Sequence, residues 1–91
     1  MSASDFVKDP NAVLDFEFDW SQWLSAGEVI TASTMFPSPG ITLNSSAFAS
    51  TNATAWLSGG TASNPYTLTN EITTSDGRTD ERTITIRCQN R

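Results

Sequence analysis

Tyr66-Thr67-Leu68-Thr69-Asn70-Glu71-Ile72-Thr73, followed beyond Asp76-Gly77 by Thr83-Ile84-Thr85-Ile86-Arg87-Cys88, is the most regular part of this chain. Side chains on a strand point alternately to its two faces, so Tyr66, Leu68, Asn70 and Ile72 share one side and Thr67, Thr69, Glu71 and Thr73 the other. The returning run repeats the pattern, with Ile84, Ile86 and Cys88 inward and Thr83, Thr85 and Arg87 outward. Asp-Gly accepts the backbone angles of a tight turn, so the two runs are predicted to pair as a β-hairpin.

Working toward the N-terminus, the same period recurs. Leu14, Phe16, Phe18 and Trp20 alternate with Asp15, Glu17 and Asp19, which describes a strand with one large apolar face and one wet face. Asp19-Trp20-Ser21-Gln22-Trp23-Leu24 breaks that period. Asp19 or Ser21 is placed to cap a single helical turn that gathers Trp20, Trp23 and Leu24 on one side, ended by Ala26-Gly27. Glu28 to Phe36 is β-rich, and Pro37-Ser38-Pro39-Gly40 is a turn. Ile41–Leu43 and Ala47–Phe48 are predicted as short strands, and Thr54–Ser58 as another, closed by Gly59-Gly60. About seven strands at intervals of about 8–12 residues predict an all-β fold, an immunoglobulin-like antiparallel β-sandwich with a short helical turn after the first strand. Leu14, Phe16, Phe18, Ile30, Trp56, Leu57, Leu68, Ile72, Ile84 and Ile86 are its expected core.

The domain is expected to occupy residues 12–91. Met1 to Asn11 is predicted to be an extended arm, ending near Pro10, whose fixed φ and missing N–H suit no central strand. Phe6 and Val7 are the arm's apolar anchors for a neighbouring protein, with Lys8 beside them. Removing Met1–Asp9 is therefore expected to spare the fold. No apolar stretch behind a basic head marks a signal peptide, and no window has the apolar length that crosses a bilayer.

Composition narrows function. The chain has 91 residues, of which 10% are aromatic and 16% charged. A single thin core is what that length supports, not a roomy active-site cavity. Ten acidic residues against five basic ones give a net charge of −5. Nucleic acid and anionic membranes call for clustered cations, which are lacking. Cys88 is the sole cysteine, so no internal disulfide forms and packing alone stabilises the fold. Synthesis in a reducing cytoplasm fits.

Chemistry is thinly provided for. There is no histidine, and Lys8 is the only lysine, so no Ser–His or Ser–Lys pair is assembled. Cys88 has the inward parity of a small core residue. Asp15, Glu17 and Asp19, and separately Asp76, Asp80 and Glu81, are grouped carboxylates. Such groups serve glycoside hydrolysis or calcium when suitably spaced, but neither follows a calcium-loop spacing, and alternating carboxylates on a strand are ordinarily a solvated face. No catalytic residue, cofactor or metal is expected. Asn44-Ser45-Ser46 and Asn52-Ala53-Thr54 match a glycosylation pattern that Ser- and Thr-rich chains contain by chance. The tryptophans admit a second reading, in which Trp23 with Tyr66 or Trp20 forms an aromatic platform for a glycan. In the first, Trp56 is core and Trp20 and Trp23 plug one end of the sandwich.

Several segments in order resemble a family of small tailed-phage virion proteins described as fibre–tail adaptor or neck proteins. They are Lys8-Asp9-Pro10-Asn11-Ala12-Val13-Leu14-Asp15-Phe16 leading to Asp19-Trp20-Ser21-Gln22-Trp23-Leu24, then Thr54-Ala55-Trp56-Leu57-Ser58-Gly59-Gly60-Thr61, then Tyr66 through Asp76-Gly77-Arg78-Thr79-Asp80-Glu81-Arg82. The resemblance implies a non-enzymatic structural protein of the virion, present in several copies around a symmetry axis. Its implied partners are portal or neck, tail or fibre proteins. Capsid decoration is the alternative within the particle, and a carbohydrate-binding module the alternative outside that reading. Phe6, Val7, Lys8, Trp23 and Tyr66 are the candidate partner-binding residues.

Overall fold

The computed structural model describes residues 5–9 and 12–88, with backbone alone for residues 5–7. Seven strands lie among the described residues: β1 (Asp5–Lys8), β2 (Leu14–Asp19), β3 (Ile30–Pro37), β4 (Ile41–Phe48), β5 (Asn52–Gly59), β6 (Pro65–Thr74) and β7 (Thr79–Cys88). Three antiparallel strands, β2-β5-β4, make one sheet. The other holds β7, β6 and β3, also antiparallel, with β1 added in parallel to the outer edge of β7. The protein is therefore all-β, built of two layers.

The hairpin expected from Tyr66–Thr73 and Thr83–Cys88 forms between β6 and β7. Tyr66 pairs with Ile86, Leu68 with Ile84 and Thr69 with Thr83. Its loop is longer than the two residues predicted, because β6 ends at Thr74 and β7 starts at Thr79. Thr74 N–H bonds to the Arg78 carbonyl and Gly77 takes a φ of 83°, which a residue with a Cβ would resist.

Facing side chains fill the space between the sheets in large–small fashion. On β2, Phe16 lies opposite Ala55 and Phe18 opposite Ala53 of β5, so each phenyl ring has a neighbour small enough to leave it room. Met35, Tyr66, Leu68, Ile72, Ile84, Ile86 and Cys88 come from the other layer, and Trp20 closes one end. Two expected core residues are not buried. Leu14 and Trp56 are each 37% exposed. Trp56 and Leu57 are adjacent on one strand and must point oppositely; Leu57 takes the inside, in line with Ala53 and Ala55. Leu14 shares the inward parity but is the first residue of β2, an edge strand.

The helical turn expected over Asp19–Leu24 does not form a helix. Trp23 and Leu24 N–H both bond to the Trp20 carbonyl, and the chain then bends away. The two short strands expected on either side of Asn44 are one strand, β4, with a bulge at Asn44 that keeps Leu43 and Ser45 in register with Leu57 and Trp56. Asp5–Lys8, placed by the sequence reading in an extended arm, run alongside β7. Positions 1–4, 10 and 11 of that arm, and 89–91 at the other end, lie outside the described residues.

Candidate docking surfaces

One end of the sandwich is held by stacked tryptophan and arginine side chains. Trp20, at the end of β2, meets Trp23 edge to face with centroids 5.4 Å apart. The Arg82 guanidinium lies 4.1 Å from the centre of the Trp20 ring, and that of Arg78 lies 4.0 Å from the centre of the Trp23 ring. Arg82 also donates to the Asp19 carbonyl at 2.7 Å. The indole N–H of Trp20 reaches Asn70 Oδ1, whose amide nitrogen donates in turn to Ser33 Oγ and the Thr34 carbonyl. Asn70, on the inward face of β6 as its parity required, thus ties the loop after β2 to β3.

Glu28 anchors the same end. Its side chain is buried, and it accepts from Arg78 Nε at 2.9 Å, from Arg78 Nη2, from the Thr74 hydroxyl and from Ser25 N–H. Those bonds, Arg78's first, hold its carboxyl at about 2, far below the ordinary carboxylate range, against the opposing effect of burial.

Chemistry at the opposite end is also turned inward. Tyr66 is 9% exposed, and its hydroxyl accepts from Thr61 N–H at 2.8 Å. Lys8 is fully buried, with Nζ donating to the carbonyls of Gly59 at 2.7 Å and Asp9 at 2.9 Å. It therefore links β1 of one sheet to the end of β5 in the other.

Among the residues singled out from the sequence, the fold separates Trp23 from Tyr66. Tyr66 begins β6, while Trp23 lies against Arg78, beyond that strand's far end. Ten residues of extended chain span roughly 30 Å, so these rings form no common platform. Trp23 is half-buried with a guanidinium on its ring. Phe6 and Val7 lie on β1, and their side chains are outside what is described. Among the described residues no group of His, Cys, Asp or Glu is arranged to hold a metal ion.

The surfaces left open are edges and exposed apolar side chains. β3 closes one sheet on one side, and β2 and β4 bound the other. Phe36 is 51% exposed, Phe48 46% and Trp56 37%. Trp56 stands on the outer face of its sheet, between Asp15 on β2 and Ser45 on β4. Phe36 was hidden in the sequence: it shares the parity of the inward Ile30, and only the bulge at Thr31 turns Met35 inward and Phe36 out.

No curated protein matches the chain. A family model does, over residues 8–87, which is nearly the whole of both sheets. The chain belongs to that family, the podophage GP4 fiber-tail adaptor proteins gp77.

Proposed function

We propose that this protein is a rigid, non-catalytic connector of a tailed-phage particle, joining tail and fibre proteins through its strand edges and exposed apolar side chains. Membership of the fibre–tail adaptor family over residues 8–87 is the observation that carries the reading. The geometry supports it. Both ends of the sandwich are locked by their own side chains, leaving a stiff body with unpaired strand edges, which can accept a partner's strand by main-chain hydrogen bonding.

The strand order supports an immunoglobulin-like fold. β2-β5-β4 facing β7-β6-β3 reproduces the B-E-D and G-F-C order of that fold, with the first strand carried across to lie parallel to the last. On this reading the protein sits at the neck or tail, in several copies about the tail axis. β1, with Phe6 and Val7, offers a further docking edge, and Trp23 lies at the rim of the arginine–tryptophan end.

Quantitative mass spectrometry of purified virions tests both parts. The protein is expected in the particle at about a dozen copies or fewer, as a ring around one axis requires. Hundreds of copies would place it on the capsid shell instead, and its absence from mature particles would end the proposal.

A further inference from the structure

Between Val29 and Asn70 there is no charged residue. All of β3, β4 and β5, and β6 as far as Asn70, come from this neutral stretch. The whole net charge of −5 is thus carried by the segments before and after it.

Topology turns that division into a spatial one. β3 is the edge of one sheet and β4 an edge of the other, and the two pack together across the sandwich. They form one side of the molecule, free of charge on both strands. β1 and β2 bound the opposite side, where Asp15, Glu17 and Asp19 are exposed.

Unpaired edges ordinarily carry charges, prolines or bulges that discourage pairing with another chain. Here β2 has its carboxylates. The neutral side has only the bulges at Thr31 and Asn44, and Pro37 at the end of β3. Ala32–Phe36 and Ser45–Phe48 remain as regular, unprotected runs, and every residue from Asn44 to Ser50 is exposed. Phe36 on β3 and Phe48 on β4 are exposed on this side. Depletion of charge together with exposed aromatic side chains is the composition of an interface core.

We infer that this side receives a second copy of the same chain, β4 against β4, antiparallel about a two-fold axis. The electrostatics direct a second copy to this edge rather than to β2. Two copies meeting through β2 would set Asp15, Glu17 and Asp19 against themselves, well inside the screening length of about 8 Å. Meeting through β4 sets no charge against any other. A two-fold contact uses the same surface on both partners, so a neutral edge with free backbone donors and acceptors is its own complement. A stable pair covers about 800 Å² on each partner. Eight residues run about 26 Å along each of β3 and β4, and the two shorter extents of the molecule are 24 and 19 Å, so this side falls short of that area and the pair is a weak one. This pairing does not rest on the connector role, but it takes the β4 edge out of those open to tail and fibre proteins.

Sedimentation velocity on the full chain, from micromolar to millimolar concentration, tests it together with amide hydrogen exchange. A monomer–dimer equilibrium is expected, with protection of Ser45–Phe48 rising with concentration. Replacing Ser45→Glu and Ala47→Glu together should weaken the dimer by about a hundredfold or more, since facing like charges cost several kcal/mol. Asp15→Asn on the opposite side should leave it unchanged. A chain that stays monomeric with concentration-independent exchange overturns the inference, as does a dimer indifferent to the two glutamates. A monomer whose β4 becomes protected only on adding a purified tail or fibre protein also overturns it, and gives the edge to that partner's strand. Should the double variant fail to fold, the exchange pattern of the unaltered chain decides.

Discussion

Trp20 donates its indole N–H to Asn70 Oδ1 at 2.9 Å, and neither residue is exposed to solvent. The bond crosses from the end of one sheet to the middle of the other, and Asn70 passes it on to β3 through Ser33 and Thr34. An unpaired buried donor costs about 1–3 kcal/mol. Asn70→Ala is therefore expected to lose at least that much stability by denaturant unfolding. In a double-mutant cycle with Trp20→Phe, the two losses should fall short of adding, because the second change removes the donor that the first left stranded. Strict additivity would show that the bond contributes nothing.

Glu28 sets an acid limit. Its folded-state value of about 2 lies below the 4.5 of an unperturbed glutamate, so the unfolded chain takes up a proton first as pH falls. The stability it supplies is whole above about 4.5 and drains away as pH drops toward 2. Urea midpoints measured across that window should fall steeply. In Glu28→Gln the curve should be lower at neutral pH and flatter below pH 4.5, since the Arg78 contact is weakened throughout. An unchanged slope in that variant would assign acid sensitivity to other carboxylates.

Leu57 and Trp56 are neighbours with opposite fates. Leu57→Ala should cost about 2–5 kcal/mol through the cavity it leaves. Trp56→Ala, on the outer face, should change the thermal midpoint far less while weakening association with virion partners. Equal losses of stability would mean that the indole belongs to the folding core after all.

This pair also shows where the sequence stopped being legible. Period-two patterning correctly placed Phe16, Phe18, Leu68, Ile72, Ile84 and Ile86 inside, because each belongs to an unbroken alternation. β5 reads Asn-Ala-Thr-Ala-Trp-Leu-Ser-Gly, where size and parity disagree. Size favoured Trp56, whereas the register against Phe16 and Phe18 admits only the small Ala53 and Ala55. The arginine–tryptophan stack was out of reach for another reason. Arg78 and Arg82 are far in sequence from Trp23 and Trp20, and local spacing does not encode which loops share an end. Charge neutrality of the central strands was written openly in the sequence. It acquires meaning only once β3 and β4 are known to be edges on one side.

Lys8 gives a test of whether the N-terminal segment is separable from the domain. Its buried ammonium bonds to the Gly59 carbonyl across the two sheets. Lys8→Ala should cost about 1–3 kcal/mol, as that carbonyl loses its partner. Deleting Met1–Asp9 should lower the thermal midpoint by about 4–8 °C for each kcal/mol lost. An unaltered midpoint in the truncated chain would mean that β1 adds nothing to the isolated fold.

The parallel pairing of β1 with β7 joins the first strand to the last. During synthesis β1 leaves the ribosome long before its partner exists, and β2 and β3 likewise wait for β5 and β6. Non-local pairings of this kind make folding slow, because distant segments must be brought together before any contact rewards them. Until translation supplies β6 and β7, the layer they form with β3 is incomplete, and the inner faces of the neutral strands in the middle are on display. The nascent chain is therefore most prone to aggregate at that stage, and its yield depends on how quickly the last segment is made.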